Sequence, residues 1–245
     1  MYMVEKPSLN VVVPVYNEEV ELEESITTLS RYLTEHLLDF EWTVTIADNA
    51  STDETHAIAK KLEERIDQVK VVHLAQKGRG RAVKYVWQHS SADIYAYMDV
   101  DLSTDLKHFP LLVRSLLRGY DIAIGSRNAA GARVYGRNIL RTITSKGYIF
   151  LIKLFFWVNF SDAQCGFKAV TGKIVDQVIP RVADNEWFFD TELLIVAEKM
   201  GYRIYEEHVT WVDNPGSTVR VWKTAQGDLV GLWRLFLAKP WRRAS

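Results

Sequence analysis

The chain has 245 residues, enough for one large domain or two small ones with a real core. A net charge of −1 argues against nucleic acid as the main partner, and a single cysteine, Cys165, excludes an internal disulfide and a cysteine-built zinc site. The six histidines are scattered without metal-ligand spacing, no run reaches the ~20 apolar residues that span a bilayer, and the stretch before Leu9 lacks the apolar core of a signal peptide.

In chain order, Leu9–Val15 is a β-branched run that reads as a buried strand. Pro14-Val15-Tyr16-Asn17-Glu18-Glu19 then leads into a helix through about His36, with Leu22, Ile26, Leu29 and Leu33 on one face. A second strand, Trp42–Ala47, stops at Asp48-Asn49-Ala50-Ser51-Thr52-Asp53. Ser51 or Thr52 is placed to cap the next helix, from Glu54 to about Ile66. Val69–Leu74 is the third strand, and Gln76-Lys77-Gly78-Arg79-Gly80-Arg81 turns into a helix through about His89. The fourth, Ile94–Met98, delivers Asp99 and Asp101 to its carboxyl end.

Four strand–helix units with short connections predict an α/β fold, a parallel sheet with right-handed crossovers and its functional loops on one edge. The first strand is not followed by G-x-G-x-x-G, which disfavours a nicotinamide dehydrogenase, and no P-loop is present. Two carboxylates one residue apart repel each other unless a cation lies between them, and hard cations such as Mg²⁺ or Mn²⁺ take carboxylate oxygens and bridge them to phosphates. The competing reading is a plain loop start, with Ser103-Thr104-Asp105 capping a helix near Leu106–Leu117.

Asp121–Arg127 is a further strand ending in a polar turn. Beyond it Arg133, Arg137, Arg141 and Lys146 punctuate a segment that runs into Tyr148–Trp157, apolar apart from Lys153. A similar piece, Leu229–Leu237, is followed by Lys239, Arg242 and Arg243. Apolar-aromatic helices with basic ends suit a membrane interface; the competing reading packs both on the sheet.

Together these motifs resemble glycosyltransferase family 2, the inverting GT-A enzymes, and within it the polyprenyl-phosphate sugar synthases such as dolichyl-phosphate mannose and glucose synthases. The matching pieces run from Val12 to about Trp211: Val-Pro-Val-Tyr-Asn-Glu-Glu, Asp-Asn-Ala-Ser-Thr-Asp, Lys-Gly-Arg-Gly-Arg-Ala-Val, Met-Asp-Val-Asp-Leu-Ser-Thr-Asp, Gly-Ser-Arg, Asp-Ala-Gln-Cys-Gly-Phe-Lys and Trp-Phe-Phe-Asp-Thr-Glu-Leu-Leu. The resemblance implies a GT-A, mostly parallel sheet flanked by helices, with amphipathic interface helices in the C-terminal half. It implies a catalytic domain over 1–223, including an acceptor-site helix over about 137–158, and a basic, amphipathic membrane-proximal segment over 224–245.

By the same resemblance, Pro14, Tyr16, Glu18 and Asp48 would hold base and ribose, and Lys77, Gly80 and Arg81, with Arg79, the diphosphate. Asp99 and Asp101 would hold Mg²⁺ or Mn²⁺. Arg127 and Arg141 match the acceptor-phosphate residues, and Ser145 lies one helical turn after Arg141. Gln164 would touch metal or sugar, Asp190 sugar hydroxyls, and Arg220 with Lys223, after Asn214-Pro215-Gly216-Ser217, would close over the diphosphate. The implied reaction moves a hexose from GDP-mannose or UDP-glucose to a polyprenyl monophosphate at the cytoplasmic face of a membrane. The chain is then a monotopic enzyme or a catalytic piece of a longer membrane protein. The Q-x-x-R-W mark of processive members is missing. Two other readings stay open: transfer to a glycan hydroxyl with Asp190 as base, and a non-catalytic nucleotide-sugar-binding partner of a membrane complex.

Overall fold

The computed structural model describes residues 6–213 and 221–242. Its first half follows the predicted alternation: β1 (Ser8–Val15), α1 (Leu22–His36), β2 (Glu41–Asn49), α2 (Thr55–Arg65), β3 (Val69–Leu74), α3 (Arg79–His89) and β4 (Ile94–Met98). A 3-10 turn, Leu106–His108, opens α4 (Phe109–Leu117), with the Asp105 carboxylate accepting from the Lys107 N–H at 3.0 Å. The remainder comprises β5 (Ile122–Ser126), β6 (Arg133–Tyr135), α5 (Ile139–Phe156), β7 (Phe167–Thr171), α6 (Gly172–Gln177), α7 (Phe189–Lys199), β8 (Ile204–His208), β9 (Thr210–Val212) and α8 (Val221–Ala238).

Seven strands form one sheet in the order β3-β2-β1-β4-β7-β5-β8, and β6 pairs with β9 beside it. All the pairings in the large sheet are parallel except those of β7, which runs antiparallel between β4 and β5. Sequence periodicity does not reveal β7, because Lys168 interrupts its apolar run. The charge is tolerated because Lys168, fully buried, meets Asp190 at 2.8 Å. The period of two distributes the core over both faces. Val11, Val13, Val15, Ile94, Ala96 and Met98 pack towards α1, α2 and α4, whereas Val12, Tyr95, Tyr97, Ile122 and Ile124 pack towards α3, α5, α7 and α8.

The capping expected of Ser51 or Thr52 is not what the structure shows. Helix α2 begins at Thr55 without a side-chain cap, and those hydroxyls tie two loops together instead. Ser51 Oγ accepts from the Asn17 N–H at 3.0 Å, and Thr52 Oγ1 from Asn17 Nδ2 at 3.2 Å. Asn17 holds a left-handed backbone (φ 56°), a conformation asparagine tolerates, and this bends the β1 exit towards the β2 exit.

Helices α5 and α8 each bury one stripe and expose another. Ile152, Phe156, Leu232 and Leu235 are buried, while Phe150, Leu154, Trp157, Val230, Trp233 and Leu237 are exposed. The boundary drawn between 223 and 224 falls inside the first turns of α8, whose Leu232 and Leu235 share a core with α5 and α7. Among the described residues no helix is long and apolar enough to cross a membrane.

Candidate functional site

Strand β4 ends where its neighbours end, so Asp99 and Asp101 emerge beside the loops after β1 and β2. They border a small cleft with Ser103, Thr104, Gly166 and Trp211. A larger groove of about 350 Å³, lined by Asn10, Thr43, Lys70, Tyr85 and Ser90, opens at the opposite, amino ends of the strands and has no such carboxylate pair. Strand direction, not volume, locates the chemistry. The Asp99 carboxylate lies directly on Gly166, where a Cβ would sit 1.8 Å from Oδ2. Any larger residue there would displace the carboxylate.

These acids fit a divalent cation. Asp99 is half-exposed and has one cationic partner, Arg79, while Asp101 and Glu18 have none among the described residues. Burial, then the neighbouring Asp99 charge, raises the Asp101 carboxyl above its usual range. Burial, then Glu21, Asp101, Asp53 and Asp99, pushes Glu18 up to about 7. Carboxyls lifted by burial and by one another on one open edge are what a hard cation would relieve.

Behind the pair lies a buried relay. Arg79 donates to Asp99 Oδ1 through Nη2 (2.6 Å) and Nε (3.2 Å), and to Asp190 Oδ2 through Nη1 (2.5 Å). The other Asp190 oxygen meets Lys168 Nζ at 2.8 Å and accepts from the Tyr97 hydroxyl. Burial alone would raise the Asp190 carboxyl, but Lys168 and Arg79 hold it below the ordinary range. Asp190 is thus walled in at 1% exposure, with both oxygens engaged, and it orients the arginine that orients Asp99. Both of its oxygens are thus engaged by Arg79, Lys168 and Tyr97. Arg79, on a solvent-like basic run in the sequence, is the residue of that run that turns inward. Arg81 stays at the surface against Gln76 and the Lys77 carbonyl.

Along the β1–β3 edge, Pro14 closes β1 opposite Ala47, and the Lys77 ammonium sits 3.3 Å over the Tyr16 ring. Gly80 lets α3 meet α7, since a Cβ there would lie 2.5 Å from Phe189. Asp48 is fully buried. Its Oδ1 accepts from the Ser51 N–H at 3.0 Å, and its Oδ2 lies 2.7 Å from His73 Nδ1 and 3.0 Å from His56 Nδ1. The expectation that the histidines are scattered is therefore corrected for two of them. His56 and His73, 17 positions apart in sequence, converge because α2 and β3 both abut the end of β2.

On the far side of the carboxylate pair, Arg127 is gripped by buried Asp162 through Nε (2.8 Å) and Nη2 (3.0 Å). Burial alone would raise the Asp162 carboxyl, but Arg127 holds it down to about 2. Arg141 pairs with Asp213 at 2.8 Å. Between them Arg137, named from sequence only as one of a basic series, has no ion pair among the described residues. Burial first, then Arg127, lowers its guanidinium below the ordinary value, with Arg141 adding to the effect. Asp162 and Asp213 offset part of that crowding, and guanidinium forks gathered in this way suit an anion such as phosphate. Ser145 is buried on α5. Gln164 turns away from the pair: its Nε2 donates to Asp228 Oδ2 on α8 at 2.7 Å. Arg220 lies outside the described residues, as do 214–219 and the side chain of Lys223.

A mostly parallel sheet with a carboxylate pair closing its central strand defines a glycosyltransferase of the GT-A fold. The same fold appears in glucosyl-3-phosphoglycerate synthase from Mycobacterium tuberculosis, solved with Mn²⁺ and UDP-glucose, at a TM-score of 0.67 and 17% identity over 94% of this chain and 79% of that one. The pattern of Glycosyl transferase family 2 matches residues 10–179, and the chain belongs to that family. Among its relatives, the glycosyltransferase AglD of Haloferax volcanii is 32% identical over 236 residues, covering 96% of this chain and 37% of the relative. Dolichyl-phosphate beta-glucosyltransferases are 29% identical in Drosophila melanogaster and 30% in Mus musculus, over 97% and 96% of this chain and 78% and 77% of theirs. The chain thus spans little more than a third of the archaeal relative's length.

Proposed function

We propose that this glycosyltransferase moves glucose from UDP-glucose to the phosphate of a polyprenyl monophosphate, with inversion, giving a β-linked lipid-phosphate sugar. The observation that carries the reading is that Asp99 and Asp101 border a cleft walled by Trp211, over whose ring the Arg127 guanidinium lies at 5.5 Å, with Arg137 and Arg141 close enough to Arg127 to share its field. The names of the dolichyl-phosphate glucosyltransferase relatives support the acceptor class and favour glucose over mannose.

Asp99 and Asp101 would hold Mg²⁺ or Mn²⁺; when bound, the ion offsets charge on the departing nucleoside diphosphate. Arg79 keeps Asp99 in position, and Gly166 leaves it room. Pro14, Tyr16, Glu18 and Asp48 would border the nucleoside, and Lys77, Gly80 and Arg81 the diphosphate, with Arg220 closing over it. A phosphate acceptor already carries negative charge near pH 7, so it needs positioning more than a base. Arg127, Arg137 and Arg141 supply it. The reading places the chain at the cytoplasmic face of a membrane, with α5 and α8 lying in the interface beside the acceptor's arginines. Transfer to a glycan hydroxyl is disfavoured, because Asp190 is enclosed by Arg79, Lys168 and Tyr97.

The test is a panel of UDP-glucose and GDP-mannose against one polyprenyl phosphate, read by the mass of the lipid product. A hexosyl-phosphoryl lipid from UDP-glucose is expected, and Asp101→Asn should lower turnover by about a hundredfold or more while circular dichroism is unchanged. Water-soluble product alone, or donor binding without transfer, would replace this reading with one of its two rivals.

A further inference from the structure

Two strands away from the carboxylate pair, the cluster at the end of β2 has a different chemistry. Asp48, His56 and His73 come from β2, the first turn of α2 and β3, and their nearest ligand-capable atoms all lie within 4.8 Å of one another. The carboxylate is fully buried and already oriented: the Ser51 N–H holds Oδ1 at 3.0 Å and leaves Oδ2 facing both imidazoles. His73 Nδ1 makes a hydrogen bond with Oδ2 at 2.7 Å. His56 Nδ1 lies 3.0 Å from the same oxygen, yet makes no hydrogen bond and is shielded from solvent. A buried ring nitrogen that lies beside a carboxylate oxygen without bonding to it is an unsatisfied group, and such groups call for an explanation.

We propose that Asp48 Oδ2, His56 Nδ1 and His73 Nδ1 form a binding site for a borderline transition-metal cation of the Zn²⁺ or Co²⁺ class. Neutral imidazole nitrogens with one carboxylate oxygen suit such ions, whereas Mg²⁺ prefers all-oxygen surroundings. Both rings are about half-exposed, at 44% and 48% of the side chain, so Nε2–H is free to face water while Nδ1 binds the metal. To bind, His73 moves its ring proton from Nδ1 to the solvent-facing Nε2, a tautomer change with no net loss of a proton, and the Nδ1–Oδ2 contact of 2.7 Å opens by about half an ångström to admit the ion. The Ser51 amide is the outer hydrogen bond that fixes the carboxylate ligand. Three protein ligands leave a coordination position open on the solvent side, where a water completes a tetrahedral set.

The site is separate from the Asp99–Asp101 position. Strand β1 lies between β2 and β4, which sets the two roughly 10 Å apart at the usual strand spacing. A metal here would cross-link β2, α2 and β3, and so stiffen the edge on which Pro14, Tyr16 and Lys77 lie. The proposal does not depend on the acceptor or on the sugar assigned above, but it takes Asp48 as a ligand and so places the ion at the edge given to the nucleoside.

The experiment uses the full chain stripped with a chelator and titrated with Co²⁺, reading the visible ligand-field absorption, then competed with Zn²⁺ and Mg²⁺. The expected result is one equivalent of Co²⁺ with a four-coordinate spectrum, displaced by Zn²⁺ and not by Mg²⁺. His56→Gln and His73→Gln, which keep polar side chains at half-exposed positions, should each weaken uptake by more than about tenfold. The Asp99→Asn/Asp101→Asn double variant should retain it. Absence of a four-coordinate spectrum overturns the proposal, as does uptake that survives both histidine changes or disappears with the double asparagine variant. Circular dichroism of each variant confirms that it is folded.

Discussion

Single side chains at this site are governed by who shares their burial. Asp228, on the buried side of α8, illustrates the cost. Gln164 donates to its Oδ2, but Oδ1 is buried without a hydrogen bond. Burial, then the Asp184 charge, pushes its carboxyl up to about 7 from an ordinary 3.8. The folded state therefore binds a proton that the unfolded chain releases. Asp228 contributes stability in full below about pH 4, and that contribution is lost as pH rises through about 7. The loss is at most about 4 kcal/mol from the size of the shift. Asp228→Asn keeps the acceptor for Gln164 and removes the titration. Melting curves should show the wild type losing stability between pH 5 and pH 8.5 while the variant changes far less. Parallel curves for the two proteins would contradict the assignment. The residues that sequence reading missed here share one cause. Lys168 and Asp162 take their meaning from partners far along the chain, and so does the inward turn of Arg79, which the sequence had placed at the diphosphate; Arg79 and Asp190 are 111 positions apart.

Among elements, α5 and α8 were visible as apolar runs, but which stripe faces inward was decided by packing. Two glycines, one on each helix, expose the difference. At Gly231 a Cβ would lie 2.5 Å from ring atoms of buried Phe188, whereas at Gly147 nothing lies within 4 Å. Alanine gains about 0.5–1 kcal/mol over glycine inside a helix, but overpacking a filled contact costs about 1–3 kcal/mol. Gly231→Ala should therefore lower the melting temperature and Gly147→Ala should raise it, by thermal denaturation of both variants side by side. Equal shifts would mean that α8 does not seat on Phe188. Strand β7 is the counterpart in the sheet. Its Lys168 makes sense only once Asp190 and Tyr97 lie opposite it, so local periodicity offers no cue to a strand.

At the scale of the whole molecule, the exposed apolar stripes flank the arginine side of the cleft. Trp157, the residue after α5, is 84% exposed and Trp233 on α8 is 65% exposed; the two helices meet through Phe155, Phe156 and Phe236 at 6.0–6.3 Å between rings. Aromatics of this kind sit well at the depth of lipid headgroups. Trp157→Asn with Trp233→Ser should reduce sedimentation with anionic vesicles severalfold and leave stability within about 0.5 kcal/mol. Asparagine suits the left-handed backbone of Trp157 (φ 53°). Undiminished vesicle binding would remove these helices from the interface.

Order and composition along the chain were sufficient for β1–β4, the helices between them, the carboxylate pair and the family, because amphipathic periods and strand-end polar runs are local properties. Tertiary structure alone decided that β7 enters the sheet reversed, that Asp190 is enclosed behind Arg79, and that two distant histidines meet at Asp48. Each of those outcomes depends on which charges share a buried volume. That is settled by contacts between elements, to which no window of sequence has access.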